Sequence, residues 1–598
     1  MSPLTQRNTE RTTAQRRTST GRRRTWICGV VSALLLWSHT VAGAQSYDPA
    51  VQSPLNLLTA PSDPVAYFEA RQTARTLLGE GKLAEAESLI EQITREYPRD
   101  GENWLALGYV RRALDKFPEA AAAYEKAGEL LWWGGGNAGA GAAISHLHAG
   151  NRRAALDRLR HYTGAEGRLA TGWIYDEDDF VTLRSDPEFL EIAGRRDTSG
   201  WSRDYGWRRD LDFLRDEVRR LNAEYRNHPL PPELERRYEA LRENVPQLSD
   251  EQIFVGMNGM LAVLNQGHTS VWASSSSRVV NRGLPFQLWA FPEGIFIVGA
   301  PEQHEELIGS RLVGIEGVSA EEALRRVNQS QSVDGDNGYL FHGIQLLREA
   351  PYLAGLGIAR SADSIEVTVQ RPGRPQQTIT VGTTSWRAPE RLRPLQGMET
   401  PLYLREHLQF HWHQALPEHD ALYVQLNNLQ DERDETLEQY ALRLRTVLAA
   451  SPPKNLILDM RHNDGGSTHL YPELLRTMIA FSMLPERRLY VVIGRNTYSA
   501  AGNLITELEQ LADATFVGEA SSQCCTLYAS PSEFTLPFSG LQGSVSTRRS
   551  TLSHRVDDFR RELHPHAPVL ITARDYFSGR DPVMETVVRL IEREKARR

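Results

Sequence analysis

Cysteine is scarce in this chain of 598 residues: only Cys28, Cys524 and Cys525 are present. Three cysteines cannot build a disulfide framework or a four-cysteine metal site. Long apolar runs are scarce too. The strongest, from Trp26 to Val41, is shorter than the ~20 residues a membrane-spanning helix needs, and Ser32, Ser38, His39 and Thr40 interrupt it. A basic surplus is also missing. Lys plus Arg number 68 against 76 Asp plus Glu, for a formal net charge of −8. Seven of the arginines fall in residues 1–44 beside a single glutamate, so the rest of the chain is more acidic still. Such a body argues against a general nucleic-acid binder, because neutralising phosphates needs a basic surface. What the chain does have is 40% hydrophobic and 24% charged residues, enough for sizeable cores spread over about three to five domains.

The N-terminus reads as an address. Residues 1–24 are polar and end in Arg22, Arg23 and Arg24; the apolar stretch follows, then Ala42-Gly43-Ala44. A basic region, an apolar region and a small-x-small site make the pattern of a secretory signal peptide. The expectation is a signal at 1–44 and an exported protein, periplasmic or secreted, with no membrane span once the signal is removed. Residues 45–64, rich in Pro, Ser and Asn, read as a linker.

Residues 65–130 repeat with a period of 34: Ala86, Ile90 and Ile93 recur as Ala120, Tyr124 and Ala127. Gly81-Lys82-Leu83 and Asp115-Lys116-Phe117 mark the turn inside each unit, and Ala154, another 34 residues on, points to a degenerate third one. The pattern resembles the tetratricopeptide repeat, in which small residues let paired helices approach closely. It predicts an all-α repeat domain over 65–200, closed near Asp178–Arg184. A protein-docking surface and a plain helical bundle without a partner both remain open. Residues 203–275 carry helical spacing (Leu211, Leu214, Val218, Leu221, then Ile253, Met257, Met260, Leu261). Residues 284–385 switch to short β-rich runs with a helix at 320–327, an order that resembles an α+β PDZ-like module, which captures chain ends by strand addition.

From 395 to 598 the pattern is α/β. Ala421–Leu426, Leu456–Met460, Leu489–Ile493 and Ala514–Gly518 are apolar runs of the kind buried on both faces of a sheet. Between the last two lies Gly494-Arg495-Asn496-Thr497-Tyr498-Ser499-Ala500-Ala501-Gly502, a strand-to-helix turn with small residues after Ser499. Such a turn exposes a hydroxyl, and a helix start offers free N–H groups and positive dipole to a developing oxyanion. Gly465-Gly466 can aim a further N–H into the same space. Those are the minimum parts of acyl transfer; equally, Ser499 could be a helix cap and the glycines turn formers.

Five separated motifs bear on that choice: Asp459-x-Arg461-x-Asn463-x-Gly465-Gly466, Thr497-x-Ser499-Ala500-Ala501, Val517-Gly518-Glu519, Gly267-His268-Thr269 and Gly579-Arg580-Asp581-Pro582. In order and spacing they resemble the tail-specific, or C-terminal processing, serine peptidase family over residues 205–595. The resemblance implies a Clp-protease/crotonase-like α/β core and endopeptidase activity on a polypeptide substrate. It implies Ser499 as nucleophile, with Ala500 and Gly465 or Gly466 supplying the oxyanion hole. The chain departs from the usual Ser–Lys dyad, since no lysine lies between Ser499 and Lys595. The tricorn-like branch uses histidine, and His268 matches that motif, so His268 is the expected base. A carboxylate to orient it is sought among Glu519, Asp558, Asp557 and Glu562. His554, His564 and His566 are further candidates near the site. Cys524-Cys525 could be a vicinal disulfide or two packed thiols. No metal or organic cofactor is implied. The rival readings are a catalytically silent relative that binds peptides or small molecules, and a scaffold built on the repeats.

Overall fold

In the computed structural model of the chain, the residues described are 60–597 without 132–134, 165–173, 176, 195–196, 227, 386–399 and 556. The expected signal peptide, and the expected linker up to residue 59, lie outside the described residues.

Six helices lead the described chain: Pro64–Gly79, Leu83–Glu96, Gly101–Ala113, Phe117–Leu130, Gly135–His148 and Arg152–Gly164. Each packs on the next. Small residues set the spacing. A Cβ added at Gly108 or at Gly141 would come within 2.8 or 2.7 Å of the Tyr124 ring, so two glycines on neighbouring helices seat one buried aromatic between them. Buried Ala86, Ala120, Ala123 and Ala127 allow the same closeness elsewhere in the array.

Farther along, the helices Arg203–Leu221, Pro232–Asn244 and Asp250–Leu261 pack together. Trp207, Leu211, Leu214 and Val218, spaced three or four apart, share a core with Ile253, Met257 and Met260. Ser249 and Gln252 close a reciprocal capping box at the start of the third helix. The same core continues under an antiparallel sheet whose strands run in the order Gln287–Phe291, Gly294–Gly299, Arg311–Ile315, Ser364–Gln370 and Gln376–Gly382.

The C-terminal part is built on a six-stranded sheet in the order His411–Leu416, Ala421–Leu426, Asn455–Asp459, Arg488–Ile493, Ala514–Gly518 and Ala567–Pro568. The first pair is antiparallel and the rest are parallel. Alternation sorts the side chains. Leu456, Leu458, Val491 and Ile493 pack with the helices Leu437–Ala450, Pro472–Ser482 and Ala500–Leu511 on one face. Ile457, Tyr490 and Val492 pack with Val583, Val587 and Ile591 of the last helix, Pro582–Arg597, on the other. Burial on both faces is why these strands are near-continuous apolar runs.

A small sheet joins the parts. The strand Ser270–Trp272 pairs with Gln542–Thr551, which is in turn hairpin-paired with Thr526–Thr535. At the hairpin's far end, buried Asp210 accepts the Phe538 and Ser539 N–H groups at 2.8 Å each, holding it to the Arg203–Leu221 helix. Arg495 fastens the antiparallel sheet to the parallel one. It pairs bidentately with Glu519 (2.8 and 2.8 Å), donates to the Ala290 carbonyl (2.9 Å) and lies over the Trp289 ring.

Candidate active site

The parallel strand Arg488–Ile493 ends at a turn that leads into the Ala500–Leu511 helix. Thr497 ties the turn down: its hydroxyl donates to the Met460 carbonyl (3.0 Å) and accepts the Gly494 N–H (3.1 Å). Ser499 sits at the N-cap with φ 55° and ψ −123°, but its side chain makes no cap bond. A non-glycine residue held at such angles is strained, and such strain persists only where the surroundings fix it, often at functional sites. Here Gln523 fixes it, its Oε1 accepting the Ser499 N–H at 2.8 Å.

Freed from capping, Ser499 Oγ lies 2.9 Å from His268 Nε2. The pairing of Ser270–Trp272 with the hairpin carries His268 there from 231 residues away. His268 Nδ1 lies 2.9 Å from the Tyr528 carbonyl oxygen. A carbonyl can only accept, so Nδ1 carries the proton and Nε2 offers its lone pair to the serine hydroxyl. The Tyr498 ring stacks on the imidazole at 4.8 Å, with its hydroxyl oxygen 3.1 Å from Nδ1. His268 keeps an exposed edge, yet burial lowers its pKa to about 4, against the opposing pull of the Tyr528 carbonyl. It is therefore a neutral base at pH 7.

The N–H groups of the three residues expected at an oxyanion hole differ in their partners. The Ala500 N–H, first in its helix, has no acceptor among the described residues. The Gly466 N–H is likewise uncommitted there. The Gly465 N–H, by contrast, donates to Asn463 Oδ1 at 3.0 Å. Gly465 contributes space instead. With φ 118°, a Cβ there would lie 2.6 Å from Ser499 Cβ and 3.1 Å from the Ala500 nitrogen.

Three of the four sequence-based candidates for an orienting carboxylate have partners elsewhere. Glu519 is held by Arg495, and Asp558 pairs with Arg560 at 2.8 Å. Asp557 is exposed. Glu562 accepts the Asn337 N–H. His566 accepts the Phe516 N–H at 3.0 Å, while His554 and His564 lie exposed. The carboxylate beside the site is Asp334, which sequence reasoning missed. It is 5% exposed, and its Oδ2 accepts from Gly267 N (3.0 Å), Gln523 Nε2 (2.8 Å) and Tyr498 Oη (3.4 Å). Burial raises its pKa to about 7. Its loop, between the Ala320–Asn328 and Asn337–Leu346 helices, has no motif that singles out one acid among Asp334 and Asp336. Cys524 and Cys525, next to Gln523, are buried and joined by a disulfide.

A cavity of about 320 Å³ lies beside the turn, walled by Gly494, Arg495 and Asn496 together with Trp289, Phe341 and Tyr403. Among the described residues no cluster of three His, Cys, Asp or Glu could hold a metal, and no helix is long and apolar enough to cross a membrane.

No family model and no curated protein sequence matches the chain. Solved structures do. That of mature CPAF complexed with lactacystin is 13% identical, covers 65% of this chain and 98% of its own, and superposes with a TM-score of 0.48. The photosystem II D1 C-terminal processing protease is 15% identical over 62% of this chain and 98% of its own, at 0.33. The tricorn protease is 12% identical over 65% of this chain and 37% of its own, at 0.34. None of these likenesses bears on what the site does, which rests on the site's own atoms.

Proposed function

We propose that the chain is an exported serine-type peptidase of the tail-specific kind, in its lysine-lacking branch, cleaving polypeptides through an acyl-enzyme on Ser499. The observation that carries the reading is the Ser499–His268 pair. The hydroxyl meets an imidazole nitrogen at 2.9 Å, and the other ring nitrogen is committed to a carbonyl that leaves the first one unprotonated. The chemistry follows from that tautomer. Ser499 Oγ attacks the substrate carbonyl carbon and its proton passes to His268 Nε2. The negative charge that gathers on the carbonyl oxygen would be taken up by the Ala500 N–H, with the Gly466 N–H as the second donor of the reading. His268 Nε2–H then protonates the leaving amine as the C–N bond breaks, leaving an ester on Ser499. Water attacks the ester, giving its proton to His268, and the serine hydroxyl is restored. With a pKa of about 4, the imidazolium formed along the way is a strong acid toward the leaving amine. The five motifs of the resemblance direct this acyl transfer to a peptide bond, and the helical array would present the substrate or a protein partner.

Hydrolysis of an unstructured polypeptide tests the reading. Ser499→Ala should abolish turnover with the melting temperature unchanged. His268→Ala should lower kcat by about 10²–10⁴-fold, the usual contribution of a positioned general base. Undiminished turnover in Ser499→Ala would remove the proposal.

A further inference from the structure

Among the described residues, Asp334 is the carboxylate bonded to both the Gly267-His268 stretch, at Gly267 N, and the Ser499 turn, at Tyr498 Oη. It comes from a loop between two helices that flank the antiparallel sheet, and that loop is pinned to the parallel-sheet part at several points. Asn337 Nδ2 donates to the Ala520 carbonyl (2.7 Å), and the Arg561 guanidinium donates to the carbonyls of Asp334 and Asn265 (3.2 Å each). The groups that reach the carboxylate are donors. Gly267 N, Gln523 Nε2 and Tyr498 Oη converge on Oδ2.

This arrangement reinforces one orientation and decides another. A side-chain amide can sit either way round. An ionised carboxylate only accepts, so Gln523 must turn its NH2 toward Asp334, which leaves its carbonyl oxygen for the strained Ser499 N–H. A phenol can likewise point its proton anywhere. Donation to Asp334 turns the Tyr498 oxygen, with its partial negative charge, toward His268 Nδ1 at 3.1 Å. We propose that Asp334 is a positioning residue for the nucleophile and the base together, setting the Ser499 turn through Gln523 and the His268 imidazole through Tyr498. The inference rests on the serine-hydrolase reading and assigns that reading a member from the β-rich module.

The role depends on ionisation, because a protonated Asp334 can no longer receive every donor. Burial places that ionisation near pH 7. The other groups facing the carboxylate are Arg561, whose positive charge favours the ionised form, and the Tyr498 phenol. His268 lies behind Tyr498, and His342 is next to both; burial lowers each of these two to about 4, so both stay neutral across the relevant range. Glu562 packs against Gly335, and burial raises its pKa also. Reactivity should therefore climb in a step near pH 7 as Asp334 ionises, above a separate fall toward pH 4 as His268 takes a proton.

The test follows the reaction of the full chain with a fluorophosphonate, measured as kinact and KI from about pH 4 to about pH 9. Losing a hydrogen bond to a charged group corresponds to about 10–100-fold. Asp334→Asn should lower kinact at pH 8 by that factor with KI within about twofold, and the step near pH 7 should vanish. Tyr498→Phe, which keeps the ring stack, should lose part of the same rate, and adding Asp334→Asn to it should cost less than Asp334→Asn alone. A normal kinact in Asp334→Asn, or a step near pH 7 that survives the substitution, would overturn the proposal. So would strict additivity of the two substitutions. If wild-type Ser499 does not react at all, the hydrolase reading falls and takes the inference with it. A reactive Ser499 with a profile indifferent to Asp334 sinks the inference alone.

Discussion

A side chain at Gly465 would occupy the volume the site keeps open. The residue holds φ 118°, and any Cβ would press on Ser499 Cβ at 2.6 Å, well inside van der Waals contact. Gly465→Ala should therefore move the nucleophile turn rather than unfold the sheet. A displacement near 1 Å costs on the order of 10²-fold in rate, so kcat should fall by at least about that factor while the chain still melts cooperatively. Normal turnover would mean that the turn has slack the packing does not show. The buried titrating groups pull stability in opposite senses. His268, lowered from 6.5 to about 4, is protonated first in the unfolded chain, so its contribution is lost as the pH falls through that window. Asp334, raised from 3.8 to about 7, binds its proton better in the folded chain, so its contribution is lost as the pH rises over that range.

At the scale of elements, the hairpin Thr526–Thr551 does two jobs. Its edge pairs with the strand that follows His268, and its Tyr528 carbonyl sets the histidine tautomer. Its far end hangs on Asp210, whose carboxylate receives two backbone N–H groups. Asp210→Ala leaves both donors without that acceptor and should cost about 3 kcal/mol of stability, from a penalty of roughly 1–3 kcal/mol per buried unsatisfied group. Chemical denaturation with an unchanged midpoint would contradict this. The hairpin was hard to read in the sequence for a physical reason. Pro531 and the positive φ of Ser530 interrupt its first strand, and exposed Arg548 and Arg549 break the alternation of its second. The parallel strands were legible because burial on both faces demands long apolar runs. Leu456–Leu458 and Leu489–Ile493 meet that demand whatever surrounds them.

Across the whole molecule, three stretches distant in sequence meet at one point: Gly267-His268 after the helical segment, the Asp334 loop of the antiparallel part, and the Ser499 turn of the parallel sheet. Arg495 and Glu519 clamp the two sheets beside that point. This explains which parts of the site the sequence revealed. Ser499 and His268 sit in local patterns, a strand-to-helix turn and a Gly-His-Thr break, that carry their chemistry with them. Asp334 comes beside the Ser499 turn and Gly267 only through tertiary contacts, so nothing near it in sequence marks it. Glu519 lies in a recognisable motif, but its neighbour Arg495 takes it for the clamp. The central claim is that one hydroxyl in this chain is chemically activated. Mass spectrometry after fluorophosphonate treatment tests it most directly. Wild type should gain a single adduct mapped to Ser499, His268→Ala should gain it far more slowly, and Ser499→Ala should gain none. A folded wild-type chain that stays unmodified, or an adduct that persists in Ser499→Ala, would contradict the account.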